Sequence, residues 1–310
     1  MKLSIVTTLY YSAPYITEFY HRATKAAASY CDDNYEIIFV NDGSPDNSLD
    51  LAIELAEQDS HVDVIDLSRN FGHHQAILTG LAHSKGDEVF LIDSDLEEEP
   101  EWLADFANEK TKASCDVIFG VQKSRKGGWF EKFSGWFFYK VYDAFTGFDF
   151  QKNLITARLM SRRYLNSLLL HDEREIALGG LYYITGYQQK PYYITKHDTS
   201  DSTYSFRSKL SLLVNSIASF SSKPLVSIFF LGLIVLSLSI LISLYFTINV
   251  LLFGAPPSGW TSLIVSVWAL GGLIISCIGI VGFYVSKIYS ETKQRPKTII
   301  RHIYNGKDNA

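Results

Sequence analysis

The stretch Glu88-Val-Phe-Leu-Ile-Asp-Ser-Asp95 decides how the rest of the chain is read. A short apolar run of this kind forms a buried strand, and here it ends in two carboxylates two residues apart. The same event recurs upstream. Leu3-Ser-Ile-Val-Thr-Thr-Leu9 runs into Tyr10, Tyr35 to Val40 runs into Asn41-Asp-Gly-Ser-Pro45, and Val62 to Leu67 runs into Ser68-Arg-Asn70. Val117 to Val121 supplies a fifth strand. Helices are predicted from Pro14 to about Ser29, from the Pro45 turn through about Gln58, around His74–Ala82, and over Pro100–Lys110. This alternation defines an α/β chain with a mainly parallel sheet covered by helices on both faces. In such sheets ligands bind beyond the carboxyl ends of the strands. Thr8, Leu9, Tyr10, Asp42, Arg69, Asp93, Ser94 and Asp95 therefore gather on one rim.

The chain has 310 residues, with 28 Lys and Arg against 33 Asp and Glu, for a net charge of −5. That balance excludes a strongly basic nucleic-acid binder, and a hydrophobic content of 47% excludes a disordered chain. Cys31, Cys115 and Cys277 form no CxxC pair, so neither a zinc site nor a disulfide framework is expected. No Gly-x-Gly-x-x-Gly or Walker loop occurs, so a dinucleotide oxidoreductase or a P-loop NTPase lacks its signature. Asp93 and Asp95 offer a different way to neutralise a diphosphate. Two carboxylates where a strand meets a loop can hold a hard divalent cation, Mg2+ or Mn2+, that bridges phosphate oxygens. His73 and His74 are adjacent on a helix and point to different faces, so no metal role is expected of them.

Between Pro224 and Ser286, 63 residues pass without an Asp, Glu, Lys, Arg or His. Leu225–Phe253 and Trp260–Ser286 each exceed the roughly 20 residues needed to cross a bilayer. The Pro-Pro break between them predicts a hairpin. The loop lacks Lys and Arg, whereas Lys223 precedes the first span and a tail of charge +4 follows the second. The positive-inside rule then places both termini and the N-terminal domain in the cytoplasm, on a multi-pass protein of the inner (plasma) membrane. The N-terminus has no signal-peptide pattern. The predicted divisions are an α/β domain over 1–204, a juxtamembrane amphipathic segment over 205–223, two spans within 224–286, and a basic tail over 287–310 suited to anionic headgroups. An aromatic stretch near 129–147 is predicted to lie at the membrane interface. Gly271-Gly272 and Gly279-x-x-Gly282 would permit close helix packing, and a homo-oligomer is expected.

Several motifs together carry a family resemblance: Leu3-Ser-Ile-Val6, Val40-Asn-Asp-Gly-Ser44, Arg69-Asn-Phe-Gly-His-His-Gln-Ala76, Asp93-Ser-Asp-Leu96, Arg158-Leu-Met-Ser-Arg-Arg163 and Ser219-Phe-Ser-Ser-Lys-Pro-Leu225. With two spans after them, they resemble the polyprenyl-phosphate glycosyltransferases of glycosyltransferase family 2, relatives of dolichol-phosphate mannose synthase and the bacterial undecaprenyl-phosphate glucosyltransferases. The resemblance implies a GT-A fold. It also implies inverting transfer of a sugar from a nucleotide-diphosphate sugar, UDP-linked, to a polyprenyl phosphate at the lipid bilayer, giving a lipid-linked sugar for cell-envelope glycans. It implies that Thr8, Leu9 and Tyr10 border the nucleobase and that Asp42 contacts the nucleoside. Asp93 and Ser94 would serve the ribose or phosphate side, Asp95 the metal, and Arg125 the diphosphate, with Arg69 on the same rim.

Three positions depart from the family pattern. Ser12 stands where the family has Glu, Glu97 where it has Gln, and Thr156 where it has an Asp discussed as a base. Glu97 is expected to add a metal ligand. Arg158, Arg162 or Arg163 is expected to contact the acceptor phosphate. Competing readings are a catalytically silent nucleotide-sugar binder and a processive polysaccharide synthase, although the latter's Gln-x-x-Arg-Trp is missing.

Overall fold

The computed structural model describes residues 1–123, 153–173, 178–194, 221–253 and 259–305. Arg125 and the segments predicted to be interfacial, near 129–147 and over most of 205–223, lie outside them. The described residues form two units, one of 1–123, 153–173, 178–194 and 295–305, the other of 221–253 and 259–294.

The first unit is an eight-stranded sheet with helices packed on it. In chain order its strands are β1 (Leu3–Leu9), β2 (Tyr35–Asn41), β3 (Val62–Leu67), β4 (Glu88–Leu91), β5 (Val117–Gln122), β6 (Leu154–Ser161), β7 (Gln189–Ile194) and β8 (Ile300–Asn305). Its helices are α1 (Ile16–Cys31), α2 (Ser48–Gln58), α3 (His73–His83), α4 (Trp102–Ala113), α5 (Arg162–Leu168) and α6 (Leu178–Ile184). The sheet order is β7-β5-β6-β4-β1-β2-β3-β8. β4, β1, β2 and β3 run parallel. β6 is antiparallel to both of its neighbours, and β8 is antiparallel to β3.

The parallel strands are buried on both faces, as continuous apolar runs predict: every residue of β2 is buried, and Thr8 is the exception in β1. In α1, Ile16, Phe19, Ala23 and Ala27 recur at three- and four-residue spacing and form its buried stripe. α3 approaches the sheet more closely. A Cβ at Gly80 would stand 2.6 Å from Val6 Cγ1 and 2.8 Å from Val40 Cγ2, so only glycine lets this helix lie over β1 and β2.

Three of the eight strands were not legible as strands. β6 and β7 lie at the end of the sheet that holds β5, and β8 falls within the segment read as a basic tail. That tail is divided between the two units: residues through Thr292 continue a long helix, and Ile300–Asn305 closes the β3 edge. The polar side chains of Arg301 and His302 conceal the strand pattern, because an edge strand is covered on one side only and tolerates such side chains there.

At the opposite end of β1, Glu36 is 6% exposed and accepts hydrogen bonds from Lys2 Nζ, Ser4 Oγ (2.6 Å) and Lys85 N (2.6 Å). Burial alone would push this carboxyl up, but the three donors outweigh it and hold it below the ordinary glutamate value. Its contribution to stability is therefore complete above about pH 4.5 and is lost as pH falls through the lower folded value. Acid titration followed by circular dichroism should show Glu36→Gln losing this part of the pH dependence below pH 4.5.

The second unit contains α7 (Lys223–Phe253) and α8 (Trp260–Thr292), of 31 and 33 residues. At 1.5 Å per residue each is about 45–50 Å long, more than the roughly 30 Å of a bilayer's hydrocarbon. By length and composition, Lys223–Ile242 and Ser266–Thr292 qualify as candidate spans. Phe229, Leu251, Trp268 and Ile275 are 64%, 78%, 79% and 72% exposed, an arrangement suited to lipid rather than water. Tyr284 donates its hydroxyl to the Ser221 carbonyl at 2.8 Å within this unit.

Candidate active site

The register of the parallel strands assembles the site. Leu9 lies opposite Asn41, and Val6 opposite Leu91, so the loops after β1, β2 and β4 leave the sheet side by side. The antiparallel β6 pairs Arg158 with Leu91, which brings Thr156 to the same rim from the other direction. Sequence reading had given Thr156 no positive role. It donates its hydroxyl to Asp93 Oδ2 at 2.7 Å. On the other side of that carboxylate, His73 Nε2 lies 3.6 Å from Asp93 Oδ1, and His73 Nδ1 is 3.1 Å from Thr8 Oγ1. Thr8, His73, Asp93 and Thr156 thus form one polar row across the ends of β1, α3, β4 and β6.

His73 lies in one of the quoted motifs, yet motif reading assigned it no place in this row. The available signal was its position: it opens α3 directly after Gly72, whose φ of 101° sets the turn into the helix. A helix start beyond a parallel strand is a place where backbone N–H groups face anions. Glu98 is a second omission. It is 1% exposed, and its carboxylate accepts from Thr156 N at 3.0 Å and Asp93 N at 3.4 Å, joining the rim ends of β4 and β6.

The other rim residues divide into those that present a group and those that brace. Asp42 is 2% exposed, and its two oxygens accept from Phe71 N at 2.7 Å and Gly72 N at 3.0 Å. Burial pushes its carboxyl up, against the opposing pull of those two N–H groups. Tyr10 and Tyr11 are 50% and 61% exposed, with ring centroids 4.8 Å apart. Arg69 is exposed, donates to the Asn70 carbonyl at 2.8 Å and lies 4.0 Å from the Phe71 ring centre. Leu9 is fully buried, so its side chain belongs to the core; its carbonyl accepts from Asp42 N at 3.1 Å. Ser94 is 3% exposed and turns inward, donating to the Thr8 carbonyl at 3.0 Å and meeting Ser12 Oγ at 3.1 Å. Ser12, the family's Glu position, is thereby a buried clasp between two rim loops.

Gly43 sits at φ +61°, and a Cβ there would lie 2.5 Å from Asn70 N and 2.6 Å from the Arg69 carbonyl carbon. Gly43→Ala is expected to cost about 2 kcal/mol or more, from the left-handed backbone and the clash together. A thermal melt against the parent protein checks this.

Asp95 is half-buried, and its Oδ1 accepts from Glu97 N at 3.0 Å. Glu97, read as a second metal ligand, is 7% exposed. Among the described residues no group of three or more His, Cys, Asp or Glu is placed to hold a metal on its own. A hard cation such as Mg2+ commonly takes only one or two carboxylates and completes its shell with substrate phosphates and water. Asp93 and Asp95, both oxygen donors on the rim, fit that requirement.

The arginines of the Arg158-Leu-Met-Ser-Arg-Arg163 segment are placed differently from the expectation that any of them could meet an acceptor phosphate. Arg158 is 3% exposed; its guanidinium carbon lies 3.3 Å from the Tyr182 ring centre, and its Nε donates to the Thr156 carbonyl at 3.4 Å. Arg162 donates to the Gly86 carbonyl at 2.7 Å, and burial pushes its guanidinium down. Arg163 is paired with Asp116. Because β6 runs antiparallel to β4, Arg162 and Arg163 stand at the end of the sheet away from Asp93, about 20 Å along the strand from Thr156.

Residues 4–170 match the family model described as glycosyl transferase family 2. A chain of Mycobacterium tuberculosis (strain CDC 1551 / Oshkosh) that carries a glycosyltransferase name is 49% identical over 304 residues, covering 98% of this chain and 89% of that one. The SfII prophage-derived bactoprenol glucosyl transferase of Shigella flexneri is 32% identical over 309 residues and 99% of both chains. The bactoprenol glucosyl transferase of Shigella phage SfV is 32% identical over 305 residues, covering 97% and 99%. The chain belongs to glycosyltransferase family 2. It is a glycosyltransferase with a GT-A-type sheet, as its motifs implied.

Proposed function

We propose that this enzyme transfers a sugar from a UDP-linked donor to a polyprenyl phosphate at the cytoplasmic face of a bacterial membrane, with inversion at the anomeric carbon. The observation that carries the reading is the polar row Thr8, His73, Asp93 and Thr156 beside Asp42 and Asp95, in a chain that also has two helices long enough to span a bilayer. The full-length relatives named bactoprenol glucosyl transferase support a lipid-phosphate acceptor. The basic residues flanking the two helices support a cytoplasmic site and termini.

In this reading the nucleoside sits against Tyr10 and the Asp42 loop, and its diphosphate reaches Asp93 and Asp95. A divalent cation held there by Asp95 and Asp93 would supply charge neutralisation to the departing diphosphate. Arg69 adds positive charge on the same rim, and Arg125 is assigned to the diphosphate by motif. Thr156 and His73 hold Asp93 in place through its two oxygens. An acceptor phosphate oxygen forms a bond to the anomeric carbon as the bond from that carbon to the diphosphate oxygen breaks, and in-line approach gives inversion. No enzyme base is required, because a phosphate monoester with a second pKa near 6 is largely a dianion at neutral pH. Arg158 braces Thr156 from behind.

The test is purified full-length protein incubated with labelled UDP-sugars and undecaprenyl phosphate. An organic-extractable product with inverted configuration by NMR is expected. Nucleotide binding with no transfer to any polyprenyl phosphate would favour a silent binder, the reading that Thr156 in place of a carboxylate raises. A second result is expected from pH: kcat/KM should rise through about pH 6 with the acceptor's ionisation and then stay level. A further rise set by an enzyme group would refute the absence of a base.

A further inference from the structure

We infer that Arg301, on the strand added to the sheet after the two long helices, is a positioning residue for the loop that carries Asp42. The inference rests on the nucleotide-binding reading above. β8 runs antiparallel to β3 with His302 opposite Asp66 and Ile300 opposite Leu67, so Arg301 is the extra residue of a β-bulge. Bulges re-aim a side chain. Here the guanidinium Nη1 lies 3.3 Å from Asp66 Oδ2, and Nη2 donates to the Ser68 carbonyl at 2.8 Å.

Each contact leads to the donor rim. Asp66 is 1% exposed, and its Oδ1 accepts from Asn41 Nδ2 at 2.8 Å. A carboxylate accepts and does not donate, so this bond fixes the Asn41 amide with its oxygen turned toward Ser44 N, 3.2 Å away. Asn41 and Ser44 bracket Asp42 and Gly43. The second contact holds Ser68, whose N–H also donates to the Ile299 carbonyl at 2.8 Å, and the chain continues from Ser68 into Arg69 and Asn70. Gly43 packs directly on those two residues, and Asp42 holds Phe71 N and Gly72 N. The Asp42 loop is therefore held at Asn41 through Asp66 and packed against the segment that follows Ser68, and Arg301 touches both Asp66 and Ser68. A buried carboxylate that loses its facing cation is left uncompensated, and relaxation of Asp66 would release the Asn41 amide.

The experiment uses the full chain in detergent micelles, with UDP and magnesium in isothermal titration calorimetry and donor kinetics in parallel. Arg301 is 59% exposed on an edge strand, so Arg301→Gln is expected to fold. It should raise the Kd for UDP and the donor KM about tenfold while kcat stays within about twofold. Arg301→Lys keeps the charge and should remain within about threefold of the parent. Asp66→Asn removes the buried charge while keeping an acceptor for Asn41, so the double variant Arg301→Gln/Asp66→Asn should return to within about threefold as well. Unchanged UDP affinity in Arg301→Gln, with or without a lowered melting temperature, overturns the inference. So does a double variant no better than Arg301→Gln, or an Arg301→Lys loss as large as that of Arg301→Gln. Failure of the parent protein itself to bind UDP would overturn the nucleotide reading, and this inference with it.

Discussion

Asp95→Asn is expected to lower kcat/KM for sugar transfer by about a thousandfold while leaving the melting temperature unchanged. Asp95 Oδ1 accepts from Glu97 N at 3.0 Å, and an amide oxygen can accept that bond equally well. What the amide cannot supply is negative charge toward a divalent cation. Asp95→Ala should show the same kinetic loss together with a small stability loss of about 1 kcal/mol from the missing hydrogen bond. The comparison isolates the charge. Initial rates of lipid-linked sugar formation across a magnesium and manganese titration provide the measurement, and an Asp95→Asn enzyme with parental rates would remove Asp95 from the proposed metal site.

The second large effect is expected at Glu98, which no motif singled out. Glu98→Ala should destabilise the catalytic unit by about 2 kcal/mol, because two partly buried N–H groups, those of Asp93 and Thr156, lose their common acceptor. It should also cut kcat/KM about a hundredfold, since Asp93 and Thr156 would no longer be held in one geometry. Glu98→Gln retains an acceptor oxygen and should recover most of the stability. Thermal denaturation and steady-state kinetics on the same preparations separate the two losses. A Glu98→Ala protein with parental stability and rate would show that β4 and β6 are aligned by the sheet alone.

The rim was legible because parallel strands write it locally. Each apolar run is buried on both faces, and its first polar residues mark the carboxyl end, so Thr8, Asp42 and Asp93 could be placed together without knowing which strands are neighbours. Leu9 and Ser94 followed from the same logic and were less well served by it. A residue beside a rim position can point into the core, and alternation across a strand does not continue predictably into a turn.

Antiparallel connections were a different matter. Whether Leu154–Ser161 pairs with β4, and which end of it meets Asp93, depends on register with strands more than thirty residues away in sequence. That register puts Thr156 on Asp93 and sends Arg162 and Arg163 to the far end. Read as one basic motif, the three arginines looked interchangeable. The contribution of His73 was hidden for a related reason, since an adjacent His pair says nothing about which ring faces a loop from β1.

By itself, the sequence determined the α/β class, the carboxylate-bearing rim, the two long apolar helices and the family, because each is encoded in runs of neighbouring residues whose hydrophobicity sets their surroundings. Only the tertiary structure decided that Thr156 and Glu98 complete Asp93, and that a charged stretch following a 33-residue helix returns as the edge strand beside β3. Those contacts join segments as much as 235 residues apart, as between Asp66 and Arg301, and they exist only once backbone hydrogen bonding has chosen the neighbours and register of each strand.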